Sequence, residues 1–220
     1  QKDANRRHGF SADKTLSIAQ SLYEKKITTY PRTGSRYISE DVFEEIPTLL
    51  RKIGETLPTP LNRHSMDNAK VTDHHAIIPT GETPSGLLAD EATIYNMVVT
   101  RFVEAFSPDS EEERMQVELT DGTNTFTWKA CRPISLGWKS VQDETKEGKS
   151  EDEEQDLAML PDLKEGEELL LLSSEITEHK TKPKPLYTEA SLLSAMENAG
   201  KEVEEADKRK AMAECGIGTP

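Results

Sequence analysis

Hydrophobic positions recur at helical spacing in three stretches of the first half of the chain. Leu16, Ala19, Leu22 and Tyr23 lie between Ser11, a good N-cap, and the cations Lys25 and Lys26. With Asp13 in the first turn, this predicts a helix over 12–26. Ser39, Glu40 and Asp41 open a second helix with Val42, Phe43, Ile46, Leu49, Leu50 and Ile53 on one face. Pro47 has no amide hydrogen and is expected to kink or restart it. The strongest pattern covers 88–106, where Ile94, Val98, Phe102 and Phe106 fall every four residues beside Tyr95, Val99 and Val103, until Ser107-Pro108 stops the run. That predicts a core helix. Residues 1–10 are polar and suggest no element of their own, and 54–72, punctuated by Gly54, Pro58 and Pro60, predict a loop.

After Ser110 the period becomes two. Met115, Val117 and Leu119 alternate, Asp121-Gly122 turns, and Thr123 to Trp128 alternates again, which predicts a β-hairpin. Trp138 is expected to begin another strand, and Leu169 to Leu172 with Ser173 to Thr177 a further one, ended by Pro183 and Pro185. Thr188 caps a last helix with Leu192, Leu193 and Met196 on one face and Gly200 as its stop; 201–214 is a charged tail. The fold class is therefore α+β. The expected domains are a helical one over 1–110, a β segment over 111–182, and the start of another helical domain over 183–220.

Composition changes this picture in one respect. The net charge is −14, which taken globally argues against nucleic-acid binding, but the charge is uneven. Residues 1–38 hold eight Lys and Arg against three Asp and Glu, a local +5, whereas 143–168 hold three Lys against twelve Asp and Glu, a local −9. Phosphate contact depends on local sign, because screening removes distant charges beyond about 8–10 Å. The acidic stretch 142–156 has almost no apolar residues and predicts a mobile loop. No apolar run approaches the roughly 20 residues of a membrane span. Cys131 and Cys215 form no paired motif, which favours a cytoplasmic origin over a disulfide or zinc framework.

The candidate chemistry lies in Ile27-Thr28-Thr29-Tyr30-Pro31-Arg32-Thr33-Gly34-Ser35-Arg36-Tyr37. Ile27, Thr28 and Thr29 are β-branched, and Pro31 biases Tyr30 towards extended backbone. In an extended run Tyr30 and Arg32 project from the same side. A phenol, with its ordinary pKa near ~10, needs help to become a nucleophile. A guanidinium favours the phenolate and can hold a phosphate oxygen. The pair suits attack on a phosphodiester, although most tyrosines are packing residues. Gln20 and Glu24, four apart, share a helix face. Asp73-His74-His75 contains possible metal ligands, but adjacent residues rarely aim at one ion and the spacing fits no zinc pattern, so a turn into Ala76-Ile77-Ile78 is the plain reading.

Three ordered segments carry a resemblance. Ser11 to Glu24 continuing through Thr29 to Tyr37, then Asp73 to Thr80, then Leu186 to Glu197, closely resemble the active-site region of type IA DNA topoisomerases, most of all the bacterial topoisomerase III branch. The resemblance implies a helical domain with helix-turn-helix-like packing that carries the tyrosine, followed by an antiparallel β arch. It implies that Tyr30 is the nucleophile forming a 5′-phosphotyrosyl link with single-stranded DNA. Arg32 would hold the scissile phosphate, with Glu24 and His74 assisting. Gln20, Thr29, Thr33 and Arg36 are weaker candidates for DNA contact. Chemistry of this family depends on Mg2+, held by an acidic domain N-terminal to this region, so the chain is expected to be a piece of a longer bacterial enzyme, partnered by its remaining domains and inactive alone. Gly34 stands where the family usually has Asp. The rival reading is a non-enzymatic nucleic-acid-binding module using the basic residues among 6–36.

Overall fold

The computed structural model describes residues 1–141, 161, 163–202 and 217. Among them are five α-helices and a two-stranded sheet, so the α+β class holds. The chain divides into two compact units. One comprises 1–111 with 135–141 and 188–202; the other comprises 112–134 with 163–187.

In the first unit, helix α1 (Lys2–His8) occupies the polar N-terminal stretch and ends on Gly9 in the left-handed region. Sequence periodicity missed it because only Ala4 is buried. Helix α2 (Ala12–Glu24) begins as expected, with the Ser11 hydroxyl accepting the Lys14 N–H. It stops two residues earlier than predicted. Helix α3 (Glu40–Lys52) runs through Pro47 without restarting, held to the core by buried Ile46, Leu49 and Leu50. Helix α4 (Ala89–Phe106) is the predicted core helix. Helix α5 (Glu189–Glu197) is capped by Thr188, whose hydroxyl accepts from Ser191 N–H. It lies on α1: Ala190 N–H donates to Asn5 Oδ1 (3.2 Å), and Glu189 accepts from Ala12 N–H (2.7 Å).

Two apolar clusters share α4. Ile94 and Tyr95 pack with Ala4, Leu22 and Ile27, while Phe102, Val103 and Phe106 pack with Ile38, Ile46, Leu49, Leu50 and Ile78. The stretch carrying Tyr30 thus has one anchor, Ile27, in the first cluster and another, Ile38, in the second. Burying an isoleucine side chain contributes about 1.5–3 kcal/mol. Two such anchors restrict the backbone between them.

Two sequence expectations are corrected. Trp138 lies in a short 3-10 helix (Gly137–Val141), not a strand. Gly137 has φ +50°, its α-carbon lies where an added Cβ would be 2.2 Å from the Asp109 carbonyl oxygen, and Trp138 N–H donates to Pro108 O (2.9 Å). Those contacts impose a turn. In the second unit, Leu169–Leu172 and 173–177 form no strand; the four leucines are 50–88% exposed and have no ladder partner among the described residues. The predicted hairpin is present as β1 (Glu111–Thr120) and β2 (Thr125–Ser135). Asp121 closes its turn, accepting from Thr123 N–H (2.8 Å) and Asn124 N–H (2.7 Å). The acidic loop 142–156 and the tail beyond 202 lie outside the described residues, apart from Ile217.

Candidate active site

The run 27–38 leaves α2 and is fastened along much of its length to the segment 73–80. Thr28 and Pro79 form an antiparallel bridge. Thr29 N–H donates to Ile78 O (2.9 Å), and Thr80 N–H to Ile27 O (3.2 Å). Farther on, Ala76 N–H donates to Tyr37 O (2.8 Å). Threonine and serine hydroxyls fill the gaps that the short ladder leaves. The Thr29 hydroxyl accepts from Ile78 N–H (2.9 Å) and donates to Ala76 O (3.3 Å). The Thr33 hydroxyl donates to His74 O (2.8 Å) and accepts from Ser35 N–H (3.1 Å). The Ser35 hydroxyl reaches Lys70 O at 2.9 Å.

This pairing brings His74 to Tyr30. Their ring centroids are 4.6 Å apart, tilted by 50°. Tyr23, from the last turn of α2, meets Tyr30 from elsewhere on the ring, edge-on, at 5.2 Å and 76°. Such aromatic contacts are worth about 0.5–1.5 kcal/mol beyond area burial and define the ring's position. Tyr30 is half-buried, Pro31 beside it buried, and Arg32 exposed. Among the described residues the Tyr30 hydroxyl has no hydrogen-bond partner and Arg32 has neither hydrogen bond nor ion pair.

An open cleft of about 460 Å³ lies at the tyrosine, lined by Tyr23, Glu24, Lys26, Thr28, Thr29, Tyr30 and Thr80. Glu24 therefore shares the cleft with Tyr30, and its Oε1 accepts from Gln20 Nε2 (3.1 Å), so the glutamine, one turn back, orients the carboxylate. A second cleft of about 540 Å³ shares Lys26 and Thr80 with the first but excludes the tyrosine. Arg36 points its guanidinium at Glu197 of α5, which also binds Lys2 (2.5 Å), and the two cations hold the Glu197 carboxyl below its usual range, Lys2 the more strongly.

Of the predicted residues, Tyr30, Glu24 and Thr29 line the cleft; His74 packs on the Tyr30 ring and Gln20 bonds Glu24 without lining it, and Arg32 is not among the lining residues. The structure gives the Thr29 and Thr33 hydroxyls to the backbone and the Arg36 guanidinium to α5. Tyr23, Lys26 and Thr80 line the cleft without having been singled out. Tyr23 and Lys26 flank Glu24, but helical spacing assigned Tyr23 to the apolar face and Lys26 to the last turn; Thr80 carried no signal of its own.

A model of the DNA topoisomerase family matches residues 1–220. The chain belongs to that family. It is 39% identical over 239 residues to DNA topoisomerase 3 of Bacillus licheniformis and 37% identical over 236 residues to that of Bacillus subtilis, each alignment covering all of this chain and 32% of the relative. Its nearest character within the family is that of a type IA, topoisomerase III-like protein. Full-length topoisomerase I from Thermotoga maritima superposes with a TM-score of 0.63 at 26% identity, over 96% of this chain and 35% of that one. The topoisomerase chain described here thus spans about a third of the length of the curated relatives it matches.

The family implies magnesium, and the donors at Tyr30 can be tested against it. A hard divalent cation takes about six oxygen ligands, usually with carboxylates among them. The cleft offers a single carboxylate, Glu24, already bonded to Gln20, and no group of three His, Cys, Asp or Glu that could hold a metal occurs among the described residues. These residues do not fit a magnesium site. No helix among them is long and apolar enough to cross a membrane.

Proposed function

We propose that this chain is the tyrosine-bearing part of a longer type IA topoisomerase that cleaves and rejoins one DNA strand, relaxing or decatenating DNA. The Tyr30 oxygen attacks the scissile phosphorus. The Tyr30 O–P bond forms as the P–O3′ bond breaks, leaving a 5′-phosphotyrosyl link and a free 3′-hydroxyl. The phenol's proton passes through Glu24, whose carboxylate lines the same cleft, to the departing 3′ oxygen. Return of the 3′-hydroxyl reverses each of these changes, so no energy source is consumed. Arg32, exposed and unpaired among the described residues, holds the phosphate oxygens as charge develops on them. His74, against the tyrosine ring, adds a hydrogen bond to the same group or helps keep the ring in place.

One observation supports this reading above the rest. The tyrosine hydroxyl has no protein partner among the described residues while its ring is gripped by Tyr23 and His74 beside a cleft holding a carboxylate. A ring held in place with its hydroxyl uncommitted to the protein leaves that oxygen available to a ligand in the cleft. Gln20, Thr29, Thr33 and Arg36 serve this reading as residues shaping the DNA path; Arg36 would exchange Glu197 for a phosphate. The substrate is single-stranded DNA, the helices pack in a helix-turn-helix-like manner, and the enzyme works in the bacterial cytoplasm on the nucleoid. Magnesium and its ligands belong to another part of the polypeptide. The deciding experiment traps covalent adducts on labelled single-stranded DNA with the full-length protein. Adducts form with the parent and vanish with Tyr30→Phe; adducts persisting in that variant would overturn the assignment. A non-enzymatic binding module would give binding but no adduct with either protein.

A further inference from the structure

Helix α2 ends in a six-residue cap. Lys26 N–H donates to Tyr23 O (2.8 Å) and Ile27 N–H to Leu22 O (3.1 Å), the double bond pattern of a Schellman motif. That motif places its penultimate residue in the left-handed region, where glycine is strongly preferred because a β-carbon crowds the following carbonyl. The residue there is Lys26, with φ 62°, and among the described residues it is the one non-glycine with positive φ. The conformation is imposed from outside as well: the Lys26 carbonyl accepts the Thr80 hydroxyl at 2.6 Å. A lysine in a glycine position invites the question of what the side chain does there.

Four cations lie between residues 25 and 36. Lys25 is bonded to Glu91 (2.5 Å) and Arg36 to Glu197. Arg32 and Lys26 have no acidic partner among the described residues. Lys26 lines both clefts, the one containing Tyr30 and the one running on beside Thr80, Glu82 and Ser85. Lys26 therefore lies where the two clefts meet, and its side chain is long enough to bring an ammonium to a strand in either. A cation at a helix C-terminus is also mildly stabilising in itself.

We propose that Lys26 binds a backbone phosphate of the single strand that reaches Tyr30, so that the strand continues from the tyrosine cleft into its neighbour. The proposal rests on the function read above for Tyr30. It is tested on the full-length protein with an oligothymidylate, by measuring affinity against salt for the parent, Lys26→Gly and Lys26→Arg, alongside thermal unfolding. A phosphate contact to a single strand contributes about 0.7 to the slope of log affinity on log salt. Lys26→Gly therefore loses about 0.7 of slope, and the parent's advantage over it shrinks by roughly 2.6-fold between about 50 and 200 mM salt. Its melting temperature stays the same or rises, since glycine suits the cap. Lys26→Arg keeps the parent's slope. An unchanged slope in Lys26→Gly overturns the proposal while leaving the Tyr30 reading intact. Absence of binding by the parent overturns both. A purely structural lysine would change melting and leave the slope alone.

Discussion

Two extended runs of similar local character end differently in this molecule. Ile27-Thr28-Thr29 is paired with Ile78 and Pro79, its Thr29 hydroxyl filling the ladder, and it holds a tyrosine between two rings. Leu169–Leu172 is more apolar, yet it stands exposed and unpaired among the described residues. Strand propensity favours the β-branched first run, and apolar character alone suggested a strand in the second. What separates them is a partner: the first run has a segment 49 residues away to share its hydrogen bonds, and the second has none among the described residues. A functional side chain can be held by two ring contacts only where the backbone is itself held.

The comparison can be broken most severely at the tyrosine. Tyr30→Phe keeps the ring packing against Tyr23 and His74 and removes the hydroxyl alone, so adduct formation falls to background while the melting temperature changes little. The paired run can next be loosened at Thr29. Thr29→Val leaves the buried Ile78 N–H without its acceptor, and an unsatisfied buried donor costs about 1–3 kcal/mol. Urea unfolding measures that loss, and Thr29→Ser, which keeps the hydroxyl, recovers most of it. If valine proves as stable as threonine, the hydroxyl is not what holds the ladder.

The frame behind that run has its own sensitivity, to acid. Buried Glu91 joins α2 to the start of α4: it accepts from Ser21 (2.6 Å), Lys25 (2.5 Å) and the Leu88 N–H (2.9 Å). These bonds, the Lys25 ammonium's foremost, bring its carboxyl from the ordinary 4.5 down to about 2. Because folding lowers this value, the associated stability is fully present above about pH 4.5 and is lost as pH falls towards about 2. Glu91→Gln should flatten the pH dependence of the melting temperature across that window; an unchanged profile would show that other carboxylates dominate it.

The smallest effects belong to sites with no partner. Leu171→Ser in the unpaired run is expected to alter stability by no more than about 0.5 kcal/mol, as for ordinary surface changes. Gly34→Asp should be equally mild, because a β-carbon there meets nothing within 4 Å and the residue is exposed. Placing a carboxylate at this position then tests its effect on adduct yield without a folding penalty. A large loss of stability from Leu171→Ser would mean that the leucine run has a partner after all, and the comparison would fail.

Most of the helices could be read directly from the chain. Ser11, Thr188 and the four-residue repeat of Ile94, Phe102 and Phe106 state their roles locally, since caps and helical faces depend on neighbours within a few residues. The hairpin was legible for the same reason. Helix α1 was not, because a short helix with one buried residue leaves no periodic trace. Pro47 predicted a kink or a restart, and the helix does not restart there, held by the burial of Ile46, Leu49 and Leu50.

For the candidate site, the sequence by itself determined which residues could do chemistry and that they lie close together along the chain: Glu24, Tyr30 and Arg32 are separated by a few positions. Only the tertiary structure decided that His74 packs on Tyr30, that the Thr29 and Thr33 hydroxyls serve the backbone, that Arg36 is drawn to Glu197, and that Lys26, left-handed, lines the cleft. The physical reason is range. Side-chain type and spacing encode local backbone preference and the face to be buried, whereas the choice of a ladder or charge partner is a competition among all segments, settled only when the two apolar clusters on α4 bring particular backbones together.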